Sequence, residues 1–168
     1  MDEHTVVVGV DGSPESGAAL RLAMREAGWR GATVRVVTVY VSPDYWAASY
    51  GLAAQPAIEE VIGSHEAVAR EQVDGAVAEE PALKDVSVRV VALPGPPARV
   101  LIEQSDGADL LVVGHRGRGG FASAMLGSVG LQCVLHATCP VMVVRPAREP
   151  ASAPRIGEDA GPAFVPTY

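Results

Sequence analysis

No apolar run in this 168-residue chain approaches the ~18 residues a membrane span needs. The opening residues Met1-Asp2-Glu3-His4 are acidic and lack an apolar core segment, so no secretory signal is expected and the cytoplasm is the expected compartment. Cysteine is scarce: Cys133 and Cys139 alone, spaced Cys-x5-Cys, match no zinc or thioredoxin pattern and read as two reduced thiols. Basic residues are too few for a nucleic-acid footprint, since 13 Lys and Arg against 20 Asp and Glu leave a formal charge of −7. Aromatics make up 5% of the chain, and Tyr45, Trp46 and Tyr50 crowd into one stretch.

Several enzyme signatures are also missing. Gly12-Ser13-Pro14-Glu15-Ser16-Gly17 has the glycine spacing of a Walker loop, but Ala18-Ala19 stand where Lys and Ser/Thr are required. Gly9-Val10-Asp11-Gly12 does not supply the Gly-x-Gly-x-x-Gly of a dinucleotide oxidoreductase. The hydrolase elbow Gly-x-Ser-x-Gly is absent.

What is present is a hydrophobic content of 48%, ample for one folded core. Thr5 to Val10 reads as a buried strand, and Ser13-Pro14 as the cap and first position of a helix reaching about Arg30, with Gly28 and Gly31 as stop signals. Thr33 to Val41, rich in β-branched residues, is a second strand. Residues 42–56 form a long connection, either a partial lid or partner contact or a segment packed on the next helix. Ile58, Val61, Ile62, His65, Val68, Ala69, Gln72, Val73 and Ala76 mark a long second helix, with His65 a packed or rim histidine rather than a catalytic one. Val86 to Ala92 is a third strand, Pro97 to Ser105 a short helix, and Asp109 to Gly114 a fourth strand. A helix from Ser128 to His136 and a strand from Val141 to Val144 follow. Beyond Pro146, residues 147–168 are rich in Pro, Ala and Gly without periodicity and read as a flexible tail on a domain spanning 1–146.

Five strands alternating with four helices predict an α/β sandwich: a parallel sheet with helices on both faces. In the order 3-2-1-4-5 the winding reverses between the first and fourth strands, where such sheets bind ligands. Those two strands end in Asp11-Gly12-Ser13 and in Gly114-His115-Arg116-Gly117. The second is followed, nine residues on, by Gly127-Ser128 at a helix start. Glycines admit a ligand close to the backbone, and first-turn amides favour a phosphate. Arg116 and Arg118 beside them suit a small anion.

Taken together, Val8-Gly-Val-Asp-Gly-Ser13, Gly95-x-Pro97, Asp109-Leu-Leu-Val-Val-Gly114, Gly-x2-Gly-x9-Gly-Ser over 114–128 and Cys139-Pro-Val-Met-Val-Val144 resemble the universal stress protein family. The glycine motif resembles that of its ATP-binding branch. The resemblance implies a cytoplasmic, ATP-binding stress or dormancy protein, with Mg²⁺ as a companion ion. It also implies a homodimer paired through the fifth strand, here Val141, Met142, Val143 and Val144. In such proteins the acid after strand one, here Asp11, flanked by Val10 and Ser13, lies by the adenosine. Backbone near the end of strand two, here Val39 to Val41, meets the base. Gly114 and Gly117 line the ribose–phosphate path, and Gly127, Ser128 and Val129 hold the phosphates. Read from the residues themselves, Arg118 beside Arg116 is either a phosphate-facing cation or a solvated loop arginine. His115 departs from the small residue more frequent there, and Ser123 from a basic one. A binding or signalling module is expected over a slow ATPase or phosphotransfer protein; cyclic AMP is an alternative ligand, and a partner-binding module a third reading.

Overall fold

The computed structural model describes residues 4–41, 57–117 and 126–146. The aromatic stretch at 42–56, Arg118, Ser123 and the 147–168 tail lie outside these. β1 (Thr5–Gly9), β2 (Thr33–Tyr40), β3 (Val88–Pro94), β4 (Leu110–Gly114) and β5 (Val141–Val144) form one parallel sheet in the order β3-β2-β1-β4-β5. That is the expected topology, with its reversal between β1 and β4.

Alternation along the strands divides the core in two. Val6, Val8, Val34, Val36, Leu110 and Val112 face α1 (Pro14–Arg30) and α2 (Ile58–Glu79), meeting Leu20, Met24 and Ala69 among others. Val7, Val37, Leu111 and Val113 face the opposite way, packing with Val100 and Leu101 of α3 (Pro97–Gln104) and Cys133 of α4 (Ser128–His136). The fully buried Val6-Val7-Val8 run therefore serves both layers.

Helix boundaries follow their chemistry. Ser13 caps α1, its Oγ accepting from the Ser16 N–H at 3.1 Å, and Pro14 takes the first position, where no N–H is needed. Of the two glycines read as stop signals, Gly31 ends the helix, with φ of +63°; Gly28 lies inside it. The strand ends shift from the sequence reading. β1 stops at Gly9 and β2 at Tyr40, leaving Val10 and Val41 just beyond. β3 begins at Val88 rather than Val86, because a 3-10 turn over Pro81–Asp85 draws the Val86 N–H onto the Leu83 carbonyl. It runs on to Pro94, paired in register with Tyr40.

At the far end of the sheet, Asp109 ties the chain start to β4. Its carboxylate accepts from the Thr5 N–H at 2.7 Å and lies 3.0 Å from His4 Nδ1.

Candidate functional site

The carboxyl ends of β1 and β4 carry the residues singled out by the sequence, and local chemistry shapes each turn. After β1, Val10 is buried and donates its N–H to the Val37 carbonyl at 2.9 Å, pinning the tip of β1 to β2. Gly12 then takes φ of +81°, a conformation glycine adopts without penalty, and turns the chain into α1. Asp11 Oδ1 accepts from both the N–H and the hydroxyl of Ser13, at 3.0 and 2.6 Å. The Asp11 N–H donates to Ser16 Oγ at 3.3 Å, and that hydroxyl donates to the Ser13 carbonyl at 2.9 Å. The turn is thus closed on itself, with one carboxylate oxygen fixed by two donors.

On the β4 side, two glycines stand at close approaches. A Cβ on Gly117 would stand 2.6 Å from Asp11 Oδ2, and one on Gly114 would meet the Glu15 backbone at 3.1 Å. The first brings the two strand-end turns into contact through a carboxylate; the second seats the end of β4 on the first turn of α1. The His115 N–H donates to the Val144 carbonyl at 2.8 Å, and its carbonyl accepts from the Gly127 N–H at 2.8 Å. The two halves of the glycine motif are therefore clasped together, although nine residues separate Gly117 from Gly127 in sequence.

Gly127 is the residue that caps α4, in extended conformation and without a side-chain bond to the first turn. Ser128 is the first helical residue and is exposed. Val129 packs its side chain into the second core layer, which leaves its backbone for any ligand. Val39 is half-buried and packed on that same layer, while Val41 is 48% exposed past the end of β2. β2 and β4 flank β1, so these positions lie two strand spacings, about 10 Å, from the glycine turn. Arg118 lies outside the described residues.

Two cationic or potentially cationic side chains complete the arrangement. His115 Nδ1 and Arg116 Nε are buried without a hydrogen-bond partner among the described residues. An unpaired buried polar atom costs about 1–3 kcal/mol, and the Arg116 Nε–H, which can only donate, suits a place where an anion is received. No cluster of His, Cys, Asp or Glu suited to hold a metal occurs among the described residues. No helix among them is long and apolar enough to cross a membrane.

Sequence reasoning missed one residue of this region. Gln72 of α2 donates from Nε2 to the Ser13 carbonyl and to Ser16 Oγ, both at 3.3 Å. The available signal was a polar residue on the apolar face of α2. His65, seven residues earlier on that face, sits 5.8 Å from the Tyr40 ring and 3.5 Å from Thr38 Oγ1, a packed histidine as expected.

Comparison with known proteins agrees with this architecture. The model described as the universal stress protein family matches residues 3–145. Universal stress protein Rv1996 of Mycobacterium tuberculosis is 34% identical over 171 residues, covering 94% of this chain and 54% of its own length. A universal stress protein of Mycolicibacterium smegmatis is 38% identical over 141 residues, covering 84% of this chain and 45% of its own. The chain thus spans about half the length of the curated relatives it matches. Among solved structures, a universal stress protein in complex with cAMP aligns with a TM-score of 0.61 at 28% identity, over 88% of this chain and 100% of that one. The universal stress protein UspA from Lactobacillus plantarum aligns with a TM-score of 0.64 at 20% identity, over 86% and 99%, and speaks to the fold alone. With a family match running almost from end to end of the described residues, this chain belongs to the universal stress protein family.

Proposed function

We propose that this chain binds an adenine nucleotide, ATP with Mg²⁺ as the leading candidate, and acts as a nucleotide-dependent regulatory module in the cytoplasm, in stress or dormancy. The observation that carries the reading is the junction between Asp11, Gly117 and the His115–Gly127 clasp, with two buried nitrogens beside it lacking partners among the described residues. In this reading Asp11, oriented by Ser13, receives a donor from the nucleoside. The backbone at Val10, Val39 and Val41 borders the base. Gly114 and Gly117 allow close approach of the ribose and phosphates. Gly127, Ser128 and Val129 present first-turn amides to the phosphates, with Arg116 and Arg118 supplying charge. Mg²⁺ would be shared between phosphate oxygens and the Ser128 hydroxyl, since bound Mg²⁺ needs few protein ligands.

Binding rather than turnover fits the site. Asp11 Oδ1 is already engaged by both Ser13 donors, the state of a held acceptor more than of a poised base. Cyclic AMP is the second reading, favoured by the cAMP complex of the relative at 28% identity. The unit that binds is taken as residues 1–146, working as a homodimer joined through Val141, Met142, Val143 and Val144 of β5.

Calorimetric titration of nucleotide-free protein with ATP·Mg²⁺ and with cyclic AMP tests the reading, beside the Gly114→Ala/Gly117→Ala variant. Saturable binding by the parent and its loss in the variant, which drives a methyl onto Asp11 Oδ2, is the expected result. Tighter binding of cyclic AMP would favour the second reading. Absence of binding by either nucleotide would overturn both.

A further inference from the structure

We infer that Gln72 is a positioning residue for the nucleotide, acting from α2 through the Asp11 turn; this rests on the nucleotide-binding reading above. Nothing in the glycine motif points to α2, yet its core-facing side reaches the end of β2 and the turn that opens α1. His65 meets Thr38 and Tyr40 at the end of β2, and Gln72 meets Ser13 and Ser16 at the start of α1. These two half-buried polar side chains stand on a face whose buried members, Ala69 and Ala76, are apolar.

The hydrogen bonds fix what Gln72 does. The Ser13 carbonyl can only accept, so the amide nitrogen must face it, and the orientation of the Gln72 amide follows. Ser16 Oγ donates to the Ser13 carbonyl and accepts from the Asp11 N–H and from Gln72 Nε2, using a hydroxyl's whole capacity. Gln72 is therefore bonded to the same hydroxyl that holds the Asp11 backbone. It is the long-range member of a network whose other members are at most five residues apart.

The same amide has a cost. Gln72 Oε1 is buried with no partner among the described residues, which is unfavourable for stability. A methionine of similar shape would fill the space without stranding an acceptor. A residue kept only to pack α2 on α1 would be better apolar; a residue kept to hold the Asp11 turn must donate. Retaining the amide thus trades stability for placement of Asp11.

The test compares parent, Gln72→Met, Asp11→Ala and the double variant by calorimetric titration with the tighter-bound of ATP·Mg²⁺ and cyclic AMP. Melting temperatures are taken without nucleotide. Gln72→Met is expected to weaken binding about tenfold, the scale of one or two lost hydrogen bonds, with melting unchanged or raised. In the Asp11→Ala background the same change is expected to have no further effect on binding, because the route runs through Asp11. Unchanged affinity in Gln72→Met, with the parent binding, would overturn this inference and leave the nucleotide reading standing. Additive losses, or a loss matched by a fall in melting temperature, would also overturn it, marking Gln72 as a packing residue. A parent that binds neither nucleotide overturns both together.

Discussion

Asp109 carries a prediction at the scale of one residue. The His4 imidazole and then the Thr5 amide hold its carboxyl below the usual carboxylate range. A carboxylate that binds its proton less tightly in the fold than in the unfolded chain adds stability above its ordinary value, about pH 4. That addition is lost as pH falls through the lowered value. Asp109→Asn should therefore lower the melting temperature near neutrality by about 2–4 °C, the effect of about 1 kcal/mol in a chain of this size. Melting of both proteins from pH 7 to pH 2 checks the sign: the gap should hold down to about pH 4 and narrow below it. Cys133 gives a second test at this scale. Burial, with a smaller contribution from the nearby Cys139, pushes its thiol up to about 11, and its side chain is fully enclosed. Since the thiolate is the reactive form, alkylation at pH 8 should label Cys139 in the folded protein and Cys133 only on unfolding. Mass spectrometry of labelled peptides would distinguish the two, and equal labelling would contradict the burial.

At the scale of the element, α1 matters most, because its first turn is also a wall of the crevice. Ser13→Ala removes a helix cap, a loss of about 1 kcal/mol, and deprives Asp11 Oδ1 of its hydroxyl donor. Denaturant unfolding should report the first loss and nucleotide titration a further one; a stability change without a binding change would detach Asp11 from the ligand. Deeper in the helix, Met24 is 1% exposed, and Met24→Ala should cost about 2–5 kcal/mol in the same unfolding measurement. The start of α1 was legible in Ser13-Pro14, and its end lay in one of two glycines. The 3-10 turn at Pro81–Asp85 was not, since nothing in the alternation of Val86 to Val90 signals that Val86 is diverted to Leu83. The glycine spacing of the site was equally legible. The clasp between His115 and Gly127 was not, because it depends on β5 holding the His115 amide through Val144, a contact fixed by the sheet and not by the spacing. Gln72 was counted among apolar positions by periodicity, which registers the face a residue occupies and is blind to the partner it meets there.

For the whole molecule, the sheet order leaves β5 as an outer strand beside α4, which exposes Leu131, Val134 and Leu135. The Leu111 and His115 amides donate to the Pro140 and Val144 carbonyls, so alternation turns the backbone of Val141 and Val143 toward the open side. If two copies join there, Val143→Pro removes an outward donor without disturbing the ladder to β4. Sedimentation should then show a parent of twice the chain mass and a variant of single mass; a dimeric variant would move the contact elsewhere. The other outer position belongs to β3, and the middle of the sheet to β1, whose neighbours come from opposite directions along the chain. Val6 pairs with Val34 on one side and with Leu110 on the other. During synthesis at roughly 5–20 residues per second, the first partner emerges within seconds, but the second comes several seconds after that. Through that interval the nascent chain holds Val6-Val7-Val8 with one flank bare and both faces apolar, a surface on which like chains adhere. The strand that organises the finished protein is thus its longest-lasting hazard on the ribosome.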